Sequence, residues 1–240
     1  ALIVGLSLQI GVNYANDYSD GIKGTDQERI GPTRLVASEL ASASAVKNAA
    51  LFSFGISCLA GFYLSTRTSY WLIAIGAAAI ISAWRYTGGE NPYGYRGLGE
   101  IYVFIFFGLV ATLGTYFTQT GAITIEAIMA AISNGATSCA LLAVNNIRDI
   151  NGDSKVGKRT LAVRLGDTRA RRFYMFLIFI AIFSSFSITI LAALGIFPAI
   201  KLLNEIKFKK GKELISVLSA TGKFQLVLAG LISIGSLINI

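Results

Sequence analysis

The chain has 240 residues, 54% of them hydrophobic and only 14% charged, with a net charge of +8 and a mean hydropathy of +0.62. That composition excludes an ordinary soluble domain and fits an all-α, polytopic transmembrane helical bundle. There is no histidine, which excludes His acid–base chemistry, His metal sites and haem ligation. The two cysteines, Cys58 and Cys139, fall in apolar segments and read as small core residues.

Apolar segments recur at roughly 1–16, 38–64, 69–86, 99–118, 122–145, 172–192, 193–206 and 221–240. The first is short of the about 20 residues a crossing needs. Nothing there resembles a signal peptide, and the chain is expected to lack a first helix. Residues 173–206 must supply two crossings, with Gly195 and Pro198 near the turn, so either these helices are short or residues are absent there.

Threading the segments alternately puts the loops 17–37, 87–98, 146–171 and 207–220 on one side. With the flanking helix ends, that side holds twenty of the 21 Lys and Arg residues, and Arg67 alone falls opposite. This is the positive-inside pattern, so the basic side is expected to be cytoplasmic and the charge to reflect topology rather than nucleic-acid binding.

The first loop opens on an acid cluster. Asn13, Asn16, Asp17 and Asp20 share a helical face, and Asp26 follows on a loop beyond Gly21 and Gly24. A second cluster, Asn145, Asn146, Asp149 and Asp153, ends a later helix that runs in the same direction. Five of the six aspartates lie in these two places, and Asp167 alone stands outside and is expected to be dispensable. Each cluster begins N-x-x-x-D and is followed by Gly, base and Leu, which suggests two pseudo-repeated halves facing one site.

Carboxylates this close repel unless a cation lies between them, and all-oxygen ligands without His or Cys favour Mg²⁺. Base lies beside the acid: Lys23, Arg29 and Arg34 after the first cluster, Arg148, Lys155, Lys158, Arg159 and Arg164 around the second. Arg169, Arg171 and Arg172 read as plain interfacial anchors. Acid, base and metal together suit a diphosphate, whose departure can be stabilised without a protein nucleophile. The bland alternative makes the clusters helix caps at the membrane border. Between them lies a third polar segment, residues 86–100, with Tyr86, Tyr93, Tyr95, Arg96 and Glu100 among glycines. It fits an interfacial tyrosine belt or a substrate-binding loop.

The stretches NDYSDGIKGTD at 16–26, YTGGENPYGYRGLGE at 86–100 and NNIRDINGDSKVGKRTLAVRLG at 145–166 resemble the UbiA superfamily of intramembrane prenyltransferases, in its menaquinone-pathway branch. The resemblance covers nearly the whole chain and is weakest over the last 50 residues. It implies one transmembrane domain over 1–240, with nine helices in the family and about eight visible in this sequence. It implies Mg²⁺-dependent transfer of a polyprenyl group from its diphosphate to 1,4-dihydroxy-2-naphthoate, with loss of CO2, in the cell membrane. By resemblance, Asn16, Asp17, Asp20, Asp26, Asp149 and Asp153 hold metal, with Asp20, Asp149, Tyr86 and Arg96 at the reacting groups. Asn16, Lys23, Arg34, Arg148, Lys158 and Arg159 are expected to bind diphosphate, and Asn13, Asn145, Tyr93 and Tyr95 the acceptor. Gly24 stands where many superfamily members carry another Asp. The alternatives are another aromatic acceptor, such as 4-hydroxybenzoate, and a divalent-cation transporter. The transporter fits poorly with acids at helix ends beside base.

Overall fold

The computed structural model describes residues 1–25, 31 and 33–238 of the chain, and among these all regular structure is helical. The long helices are α1 (Leu2–Ile22), α2 (Ala43–Arg67), α3 (Trp71–Arg85), α4 (Gly99–Thr120) and α5 (Ile125–Lys155). The short α6 (Leu161–Leu165) leads to α7 (Asp167–Phe186), α8 (Ile196–Phe208) and α9 (Leu214–Ile238). By length and apolar composition α2, α4, α5 and the segment Gly211–Ile238 can each cross a membrane, and α3 is a shorter apolar helix. The chain is a multi-pass membrane protein.

The four connecting segments meet at one end of the bundle, as the charge threading expects. Lys23 after α1 donates to the carbonyls of Thr87 and Gly89 after α3. The Arg159 amide donates to Tyr95 O, and Arg171 reaches Lys209 O after α8.

Two helices overrun their apolar segments, and that places the site. Sixteen apolar residues suggest a short first span, but α1 continues unbroken through Asn16, Asp17 and Asp20 to Ile22. It ends where Gly24 takes a left-handed φ of 66°. The 31 residues of α5 run about 46 Å at 1.5 Å per residue, against a hydrocarbon thickness of about 30 Å. Its last turns, from Asn145 onward, therefore stand in the polar zone. Thr124 caps its start by accepting from the Ala127 amide, and Gly157 (φ 76°) lets the chain turn back after Val156.

Packing differs between the two sides of the bundle. Helices α5, α7, α8 and α9 enclose a large apolar core around Tyr174, Ile178, Leu202 and Phe224. Around α1 and α2, among the described residues, the buried apolar cluster is Ala15, Ala50 and Phe54. Helix α4 carries a π-helical turn at Phe104–Val110 and crosses α5 closely. A Cβ on Gly108 would lie 2.5 Å from Gly135 Cα. Asn134 on α5 donates to Phe107 O and Thr112 Oγ1, and Gln225 on α9 donates to Asn134 Oδ1 at 2.6 Å, so amides tie three helices together within the bundle.

Residues 173–206 form short helices: α7 stops at Phe186, a 3₁₀ turn covers Ile190–Gly195, and α8 has 13 residues. Cys139 is buried, but Cys58 lies on the outer face of α2 and is not a core residue. Two expectations about the second basic group are corrected. Arg171 is buried rather than a free anchor. Its guanidinium is bidentate to Asp167 (2.7 and 2.9 Å) and donates to the carbonyls of Ile206 and Lys209. Asp167 is therefore not a spare acid: it orients the cation that caps the C-terminus of α8.

Candidate active site

A cavity of about 780 Å³ opens between the C-terminal ends of α1 and α5, and Asp20 and Asp149 stand on its walls. Asn16, Arg34, Tyr86, Tyr95, Asn145, Arg148, Asp153 and Lys158 also line it. The spacing argument on each helix thus holds in three dimensions. Residues 16 and 20 are one turn apart on α1, and 145, 149 and 153 are successive turns of α5.

Asp20 is 5% exposed and is held by distant parts of the chain. The Tyr95 hydroxyl donates to its Oδ1 at 2.6 Å, and Lys158 Nζ lies 3.2 Å from its Oδ2. Lys158 and Lys23 also lie 4.8 and 5.0 Å from the Tyr95 ring centroid, so one tyrosine supports two cations and one carboxylate. Burial lowers the Lys23 pKa from its ordinary value; Asp20 opposes that shift and Lys158 adds to it. On the opposite wall Asp149 receives a bidentate contact from its neighbour Arg148, at 2.7 and 2.6 Å. Asn16 Oδ1 accepts from the Thr87 hydroxyl, which docks the middle polar segment onto α1.

Other expected residues point elsewhere. Both Asp17 oxygens accept backbone amides, from Leu35 (2.8 Å) and Val36 (3.0 Å), so it fastens the following turn to α1 and does not line the cavity. Asn13 donates to Gln9 O on the exposed side of its helix. Tyr93 stacks on Tyr102 (3.8 Å between centroids) and donates to Ser82 O. Lys23, Arg96 and Arg159 lie outside the cavity wall; Arg96 is exposed, and Arg159 contributes its backbone, pinned to Tyr95. Asp26 and Arg29 lie outside the described residues.

Among the wall residues outside the expected site set are Asn146, which the second cluster includes without a role, and Thr87. Asn146 lines the cavity and donates to Glu100, an acid that composition alone left inside a tyrosine-rich loop. A lone acid at the start of an apolar helix was the available signal. Thr87 also lines the cavity, and only its hydrogen bond to Asn16 reveals its place.

Among the described residues no three acid or thiol side chains converge on one point. The donors are nonetheless the hard oxygens of Asn16, Asp20, Asn145, Asp149 and Asp153, without nitrogen or sulfur ligands. A divalent ion that takes one or two carboxylates and completes its shell with phosphate and water fits that set.

The described residues thus form a polytopic helical bundle with an acid-, amide- and base-lined cavity at its polar end, the architecture of an integral membrane protein. The UbiA prenyltransferase family matches residues 1–224, and the chain belongs to it. It is a prenyltransferase, and members of this family generally depend on a divalent metal. It is 45% identical over 248 residues to the 1,4-dihydroxy-2-naphthoate octaprenyltransferase of Mycobacterium tuberculosis, an alignment covering 99% of this chain and 85% of that protein. It is 51% identical to the enzyme of the same name from Mycobacterium leprae, over 74% of this chain and 60% of that one. For the Escherichia coli enzyme of that name the identity is 38%, covering 78% and 65%.

Proposed function

We propose that this chain transfers a polyprenyl group from polyprenyl diphosphate to 1,4-dihydroxy-2-naphthoate, giving the reduced, quinol form of demethylmenaquinone with release of diphosphate and CO2. The observation that carries this reading is the pair Asp20 and Asp149 across one cavity, each beside a buried base, Lys158 and Arg148. The names of the relatives supply the acceptor. Asn16, Asp20, Asp149 and Asp153 would hold Mg²⁺, which when bound neutralises charge on the diphosphate.

Lys158, Arg148 and Arg34 bind phosphate oxygens by charge-assisted hydrogen bonds. The allylic C–O bond breaks with its electron pair passing to the diphosphate, whose developing charge these bases stabilise. The ring carbon bearing the carboxylate bonds to the allylic carbon. The carboxylate then leaves as CO2, and its C–C pair restores the aromatic ring. Tyr86 and Tyr95 offer aromatic faces to the allylic cation and help exclude water. The basic end of the bundle faces the cytoplasm across the cell membrane, so both head groups arrive from that side.

Purified protein in detergent, given labelled polyprenyl diphosphate and dihydroxynaphthoate, is expected to form labelled product with Mg²⁺ and none with a chelator. Label incorporated only with 4-hydroxybenzoate would remove the naphthoate assignment. Metal flux into vesicles without any prenyl donor would remove the transferase reading altogether.

A further inference from the structure

Glu100 opens α4 and is 5% exposed, with no basic partner among the described residues. Its Oε1 accepts from Asn146 Nδ2 at 3.1 Å, and its Oε2 is buried without a hydrogen-bond partner. An orphaned buried oxygen costs about 1–3 kcal/mol, so its presence calls for an explanation beyond packing. The backbone beneath is fixed, because Cys139 Sγ lies 3.1 Å from Glu100 O. Tyr86 packs alongside: a Cβ on Gly99 would lie 3.3 Å from its ring. Asn146 and Tyr86 line the cavity, and Glu100 stands directly behind them.

This arrangement sets the direction of one amide. Oε1 accepts from the Asn146 NH₂ group, which is thereby turned inward. The amide oxygen is then the polar atom left for the cavity. A neutral acceptor oxygen fixed in direction on a cavity wall favours a ligand that donates. An ionised diphosphate offers only acceptor oxygens, whereas an aromatic hydroxyl offers a proton.

We propose that Glu100 is a positioning residue for the aromatic acceptor: through Asn146 it presents a hydrogen-bond acceptor to one ring hydroxyl. This rests on the prenyl transfer to dihydroxynaphthoate proposed above. Glu100 touches no substrate itself; it acts by denying Asn146 its other orientation. Asn146 thereby separates the two substrates by hydrogen-bond polarity, a distinction that the surrounding lysines and arginines cannot make.

The test is steady-state kinetics of Glu100→Gln with each substrate varied in turn. A glutamine can donate as well as accept, so Asn146 loses its fixed sense. KM for dihydroxynaphthoate is expected to rise about tenfold, the effect of one neutral hydrogen bond, while KM for the prenyl diphosphate stays within twofold. Adding Asn146→Asp to Glu100→Gln restores donor-to-acceptor pairing and an acceptor toward the cavity, and is expected to recover most of the loss. An unchanged acceptor KM, or an equal rise for both substrates, overturns the proposal. Should Glu100→Gln fail to fold, the wild-type enzyme decides with the two monomethyl ethers of the acceptor. One ether is expected to bind about tenfold worse than the parent; equal KM values for all three overturn the proposal. A wild-type enzyme that prenylates no dihydroxynaphthoate removes the underlying function. Turnover with unchanged KM in the variant removes only the role of Glu100.

Discussion

The two carboxylates at the centre of the cavity are held in opposite ways. Asp149 is neutralised by the next residue in its own helix, Arg148, so its state is set locally. Asp20 depends on Tyr95 and Lys158, which lie 75 and 138 residues further along the chain. One wall carries its charge balance within a helix backed by a large apolar core. The other is completed only when three separate loops come together. An acid of the first kind holds no distant part of the chain, whereas one of the second kind also joins separate loops.

Charge removal separates them. Asp20→Asn and Asp149→Asn are both expected to lower prenyl transfer by about 100-fold or more, as for loss of a preorganised charge at a reacting group. Only Asp20→Asn releases the loop that Lys158 anchors, so trypsin should cut at Lys158 and Arg159 in that variant and much less in Asp149→Asn. Equal cutting in both would erase the contrast between the walls. Arg171→Ala probes the better-packed wall: it leaves the Ile206 and Lys209 carbonyls and Asp167 without their cation. A loss of about 1–3 kcal/mol, read as a lower unfolding midpoint in detergent, is expected from the carbonyls left unsatisfied. Asp167→Asn should cost less, because Asp167 is half exposed and an amide still accepts one hydrogen bond.

Gly108→Ala forces a methyl group against Gly135 where α4 crosses α5 and is expected to cost about 1–3 kcal/mol. The same midpoint measurement checks it, and an unchanged midpoint would mean that the π turn of α4 yields readily. Tyr95→Phe keeps the ring beneath two lysines and removes one hydroxyl from Asp20. It should lower kcat/KM about tenfold, the smallest change of the set. A drop as large as that of Asp20→Asn would show that the hydroxyl, and not the carboxylate, holds the loops.

Much of this was legible in the sequence because charge in an oily chain is costly and therefore placed with purpose. Alternation of apolar segments put the four basic loops at one end, and helical spacing brought Asn16, Asp20, Asn145, Asp149 and Asp153 to one cavity. Helix ends were less legible, because α1 and α5 continue as helices after their residues cease to be apolar. Asp17 and Asp20 look equivalent in the motif, yet one fastens a turn and the other faces the cavity. That distinction depends on where the Leu35 and Val36 amides arrive, which no local pattern encodes. The surroundings of Arg171 and Glu100 were hidden for a related reason: the Ile206 and Lys209 carbonyls that bury Arg171 and the Asn146 amide that meets Glu100 come from distant parts of the chain.

The resting pairs Lys158–Asp20 and Arg148–Asp149 also bear on how the cavity fills. Each base is already occupied, so an arriving diphosphate does not drop into a field of naked positive charge. On the proposed function it would trade places with a carboxylate, which would be freed in turn for a divalent ion. Loading would thus be an ion exchange in which like replaces like. Its dependence on bulk salt should be shallower than the number of basic residues around the cavity would suggest.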